Sequence, residues 1–159
     1  VGRAAQGVEL IEAVFSVKPA PASLSEALAV KALAALREGR AKDAKGLAES
    51  GVSAAEPLGK SVAELMMPLT VLGEALLALE QKKDALAVLE RALAIADETK
   101  AWAVQKGDIE FPLARALLAT GGDSSRAMGL AADAEAAWGG TGARQRELKL
   151  LEQWKQAAR

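Results

Sequence analysis

A short phrase returns along this chain of 159 residues at a spacing of about forty. Leu79-Glu80-Gln81-Lys82-Lys83-Asp84-Ala85 has a forerunner in Leu36-Arg37-Glu38-Gly39-Arg40-Ala41-Lys42-Asp43-Ala44 and a looser successor in Ala119-Thr120-Gly121-Gly122-Asp123-Ser124-Ser125-Arg126-Ala127. Internal periodicity of this length marks units that cannot bury an apolar face alone and do so by stacking on their neighbours. The repeat predicts a solenoid, and a protein that works by presenting a surface to a partner.

Composition narrows the reading to an all-α chain. Hydrophobic residues make up 51% and aromatics only 3%, and Ala alone is about a quarter. Ala is the best helix former, and its small side chain lets helices cross closely. Twenty basic and twenty-one acidic residues are mixed along the sequence, so no one-signed basic face for a nucleic-acid backbone is expected.

Absent residue types remove whole function classes. Without Cys there are no disulfides, thiolate metal sites or cysteine nucleophiles. Without His the usual general base, the Ser-His-Asp arrangement and the commonest transition-metal ligand are missing. Paired carboxylates or Lys remain as routes to catalysis, and the expectation is a protein that is not an enzyme and carries no cofactor or metal. No apolar run approaches the roughly 18 residues of a membrane span, so no membrane partner is expected. Val1-Gly2-Arg3-Ala4-Ala5-Gln6-Gly7 builds no signal peptide, and the chain begins without Met, which reads as a cytoplasmic segment of a longer polypeptide.

Val62, Leu65, Met66, Leu69, Leu72, Leu76 and Leu79 step by three and four, which predicts a helix over about 61–80, with Pro68 bending it or delaying its regular part. Ala85, Leu86, Leu89, Ala92, Leu93 and Ala96 form a second stripe over about 82–100. Ser61-Val62-Ala63-Glu64 and Ser23-Leu24-Ser25-Glu26 have the capping-box form and place helix starts near Ser23 and Ser61. Pro19 and Pro21 make 16–22 a loop. The same reasoning gives eight segments, about 3–16, 23–38, 41–55, 61–80, 82–100, 108–119, 124–138 and 143–157. Gly39, Gly121-Gly122 and Gly139-Gly140-Thr141-Gly142 fall at helix ends, and Asp108 and Asp123 fit as N-caps. No stretch alternates with period two, so no sheet is expected.

Leu72-Gly73, Leu76, Ala85, Leu89 and Ala92 resemble the tetratricopeptide repeat in order and spacing. Ala32, Ala35, Ala44, Ala48 and Gly51 hold its small positions upstream; Leu113-Ala114, Leu117, Ala127, Ala131 and Ala134 follow downstream with one residue inserted in the turn. The steps from Ala44 to Ala85 and on to Ala127 are 41 and 42 residues, longer than the 34 usual for this repeat and similar to the kinesin-light-chain type. The Ala- and Leu-rich wording also resembles the repeat arrays that follow the catalytic domain in large bacterial serine/threonine kinases.

This resemblance implies a single right-handed α-solenoid over 1–159. A leading half-repeat helix and linker would occupy 1–22, helical hairpins 23–56, 61–100 and 108–139, and a capping helix 143–159. It places Gly73 and Ala85 where the helices of one repeat cross. It also implies an inner, concave face made by the first helix of each repeat: Leu33 and Arg37, then Met67, Thr70, Glu74 and Leu77, then Asp108, Phe111, Arg115 and Leu118. That face would hold a peptide or protein segment, in a larger bacterial signalling protein. The Lys and Asn clamp that chaperone adaptors of the family use for a terminal carboxylate is not assembled, since Thr70, Glu74 and Arg115 stand at the corresponding positions.

Two other functions stay open. Leu10, Ile11, Val14 and Phe15 could drive homodimerisation as an exposed apolar surface, and an ordered polar cluster inside the solenoid would favour small-molecule sensing. Ala54-Ala55-Glu56-Pro57-Leu58-Gly59-Lys60-Ser61 satisfies a permissive phosphate-loop pattern. Its helical lead-in, Glu56, Pro57 and a Ser61 already read as a cap argue against a phosphate cradle. Of the three Trp residues, Trp138 and Trp154 are expected in the core, Trp154 with Leu148 and Leu151 on the capping helix, while Trp102 sits at a helix junction.

Overall fold

Seven α-helices follow one another in the computed structural model, which describes residues 20–140, 142 and 144–158. They are α1 (Pro21–Arg37), α2 (Ala41–Ala55), α3 (Met66–Ala78), α4 (Lys82–Glu98), α5 (Ala103–Ala119), α6 (Ser124–Gly139) and α7 (Gln145–Ala157), with 3₁₀ turns at Glu56–Leu58 and Ala63–Leu65. No strand occurs among the described residues. The segment expected as a helix over 3–16 and the apolar set Leu10, Ile11, Val14 and Phe15 lie outside them.

Consecutive helices pack on one another, and α1 also meets α3, and α3 meets α5. The first helices of the three pairs therefore share an inner layer, with α2, α4 and α6 behind them. Small residues make the approach possible. Ala32, Ala48, Ala85, Ala92, Ala114, Ala127 and Ala131 are wholly buried. A Cβ built on Gly73 would lie 2.6 Å from Leu89 Cδ2 and 2.9 Å from Cδ1, and closer still to Cγ. Leu89 fills the space that a side chain at 73 would need.

The recurring phrase is a helix ending. Gly39, Glu80 and Gly121, each 41 residues apart, all take left-handed backbone, with φ of 78°, 60° and 71°. After each, the next amide reaches back five residues: Arg40 to the Ala35 carbonyl, Gln81 to Leu76 and Gly122 to Leu117, at 2.9, 2.9 and 2.8 Å. This closure satisfies carbonyls that a helix end leaves bare. Lys100 ends α4 the same way, with φ 54° and Ala101 donating to Ala96. The extra residue in the third turn is Asp123, which caps α6 by accepting from the Arg126 amide at 3.0 Å.

Three expected starts move. Pro21 opens α1, because a proline at the first helical position gives up only an amide that has no partner anyway; Ser23 lies inside the first turn and caps nothing. Regular α3 begins at Met66, so Ser61 is not its cap either. Pro68 falls in its first turn and leaves the helix unbroken, and the Glu64 carbonyl, which a residue-68 amide would otherwise meet, accepts from the buried Ser25 hydroxyl at 3.3 Å. α5 starts at Ala103 rather than at Asp108, with the Trp102 amide donating to Gln105 Oε1 at 3.2 Å. Gly107 is a mid-helix contact, where an added Cβ would sit 3.0 Å from Trp138 Nε1 and 3.3 Å from Ala134 Cα. Around the phosphate-loop pattern, a helix and a 3₁₀ turn precede Gly59, so no strand-to-helix cradle exists there.

Gly73→Ala is expected to lose roughly 1–3 kcal/mol, with Gly73→Leu and Ala85→Trp losing more, all read as the midpoint of urea unfolding. Glu80→Gly is expected to gain up to about 1 kcal/mol, since Gly carries no Cβ penalty in the left-handed region. Unchanged midpoints for Gly73→Ala and Ala85→Trp would contradict the crossing described above.

Candidate functional site

The inner layer faces a cavity of about 440 Å³. α1 contributes Leu33, Leu36 and Arg37; α3 contributes Met66, Met67, Thr70, Val71 and Glu74; α5 contributes Gln105, Asp108, Ile109, Phe111, Pro112 and Arg115. The last helix closes it. Arg146, Glu147 and Leu150 of α7 line the wall, with Arg144 just before the helix and Trp138 of α6.

Of the ten residues inferred for the concave face, eight meet in this cavity: Leu33, Arg37, Met67, Thr70, Glu74, Asp108, Phe111 and Arg115. Leu77 and Leu118 do not. Leu77 is buried in the main core and Leu118 packs against that core. The α7 residues had no signal in the repeat, since that helix is not a copy of the inner ones.

Two ion pairs tie α7 across the cavity mouth. Arg144 reaches Asp108 Oδ2 at 2.6 Å, and Glu147 meets Arg37 of the first helix at 3.5 Å. Asp108 also accepts from Trp138 Nε1 at 3.1 Å. Phe111 is held edge-on by Trp138 and Trp154, with centroids 6.0 and 5.7 Å away, and the Arg115 guanidinium lies 5.8 Å over its ring. Trp138 is 1% exposed, whereas Trp102 at the head of α5 is 81% exposed and takes no part. Thr70 turns its hydroxyl back to the Met66 carbonyl at 2.7 Å, so it presents its methyl group rather than a free donor.

Two of the cavity acids, Asp108 and Glu74, are pushed toward the protonated form. Burial raises the Asp108 carboxyl above its ordinary range, against the pull of Arg144 and the Trp138 hydrogen bond. Burial likewise raises Glu74, with Asp108 and Glu147 adding to the rise and Arg115 and Arg37 opposing it. Glu74 makes no hydrogen bond or ion pair among the described residues, and Arg115 pairs with no carboxylate there. Among the described residues one buried side-chain polar atom lacks a hydrogen-bond partner, Nε of Arg144. The arrangement can hold a polar ligand against apolar walls.

A carboxyl raised on folding adds stability at low pH, and that contribution is lost as pH climbs from its ordinary value through the raised one. Glu74→Gln removes the group, so the variant is expected to melt above the parent at about pH 8, with the gap closing near pH 4. Equal melting temperatures at about pH 8 would show that Glu74 is not desolvated. A scan against protein-family models and searches of the curated proteins and the solved structures found nothing that matches this chain.

Proposed function

We propose that the protein is a noncatalytic binding module that takes part of an extended segment of a partner protein into the cavity between its inner helices. One observation carries this reading: residues spaced through three successive inner helices converge on a single concavity, and two of them, Glu74 and Arg115, arrive there unpaired. Binding sites are concave and mostly apolar, with a few converging polar groups, in volumes of about 300–1,000 Å³. The chain has that form here.

A cavity of about 440 Å³ is large enough to take side chains of a segment laid across it. A small-molecule sensor is the second reading, favoured by the α7 ion pairs that make the cavity a basin rather than an open trough. Membership of a long-period tetratricopeptide family, and a place in a larger bacterial signalling protein of the cytoplasm, rest on the recurring helix ending and on the Leu72 to Ala92 pattern. No helix among the described residues is long and apolar enough to cross a membrane.

Phe111 is unsuited as a probe, because Phe111→Ala would remove the ring between two Trp side chains and cost about 3–5 kcal/mol of fold. Glu74→Gln combined with Arg115→Ala leaves the apolar packing intact. Selection of displayed random peptides on the immobilised protein is expected to enrich sequences on the parent that the double variant, folded by circular dichroism, does not retain. Equal enrichment on both would remove the cavity from the function.

A further inference from the structure

Glu74 and Arg115 occupy the same register on neighbouring inner helices, 41 residues apart, and both line the cavity. They do not pair with each other, although each feels the other's charge. The remaining charges at the mouth are largely committed: Arg37 to Glu147 and Arg144 to Asp108. Arg146 of α7 also makes no ion pair but is an exposed residue of the wall; between the inner helices what stays open is one acid, Glu74, and one base, Arg115, facing a common space with Met67, Val71, Ile109 and Pro112 around it.

Both side chains are half-buried, and charges set among apolar side chains are less well hydrated than on the open surface. A purely anionic guest would set its charge against Glu74, and a purely cationic one against Arg115. A guest carrying both neutralises both. Arg offers a carboxylate two parallel donors, while Glu74 accepts from an ammonium group.

We infer that the cavity is a zwitterion receptor, in which a ligand with an apolar body seats its ammonium group at Glu74 and its carboxylate at Arg115. The inference rests on the reading of this cavity as the binding site and names the chemistry of its guest. Two sources supply that chemistry: a free apolar α-amino acid, or the carboxyl end of a peptide whose preceding residue is Lys.

Titration calorimetry on the whole chain separates them. L-leucine and L-phenylalanine test the free amino acid, and an N-acetylated hexapeptide ending in Lys-Leu tests the chain end. N-acetyl-leucine and leucinamide each lack one charge. At least one zwitterionic probe is expected to bind, with the matching single-charge analogues at least about tenfold weaker, the loss expected for a charged group left unpaired. Glu74→Gln is expected to weaken the zwitterion about tenfold while leaving N-acetyl-leucine unchanged, and Arg115→Gln to do the reverse with leucinamide. Binding by the amino acid but not the hexapeptide assigns the free ligand; the opposite assigns the chain end. Absence of binding by every zwitterion, or binding untouched by both variants, overturns the inference. If displayed peptides still distinguish parent from double variant in that case, the cavity remains the site and only its proposed ligand class falls.

Discussion

Clearance at the helix crossings governs this molecule. Leu89 occupies the volume in front of Gly73, and wholly buried alanines line the other contacts between the layers. Backbones that close can bury little apolar area per residue, and the chain compensates with many such contacts and with dispersion at short range. The same closeness brings α1, α3 and α5 side by side, so that the short inner faces of three helices reach one cavity. Larger residues at the crossings would spread the inner layer and open that space.

Much of this was legible because the helix ending repeats more faithfully than the helices do. Gly39, Glu80 and Gly121 are three different contexts for one left-handed residue, and only two of them advertise it by composition. Glu80 is recognisable through its register, not through its side chain. Local start signals were less dependable. The Ser23 and Ser61 boxes have the right chemistry, but Pro21 begins α1 earlier and the 3₁₀ turn at Ala63–Leu65 begins α3 later. Asp108 fits a cap by residue type, yet α5 begins at Ala103. In the fold Gly107 is small for the sake of Trp138 and α6, a long-range reason that no local window contains.

The site divides along the same line. Eight of the ten positions inferred from the repeat line the cavity, and Leu77 and Leu118 lie at the main core instead. The wall supplied by Arg144, Arg146, Glu147 and Leu150 was not visible, since α7 follows a glycine-rich link and has no copy upstream. Its ion pair with Arg37 joins the first described helix to the last.

Register position 33, 74, 115 shows where packing alone stops accounting for the residue present. α1 places Leu33 there, which is what a chain needing only to pack would choose; α3 and α5 place Glu74 and Arg115 in the same surroundings. An acid whose charged form is disfavoured by burial, a second acid propped by a Trp and an Arg, and an Arg144 Nε with no hydrogen-bond partner among the described residues all lie within one concavity of an otherwise small-residue, apolar core. Each of these lowers stability relative to a Leu or Ala in its place. Buried polar groups also occur elsewhere on the inner helices, at Ser25, which donates to the Glu64 carbonyl, and at Glu110; the set that gathers at the cavity is what the proposed binding role is argued from.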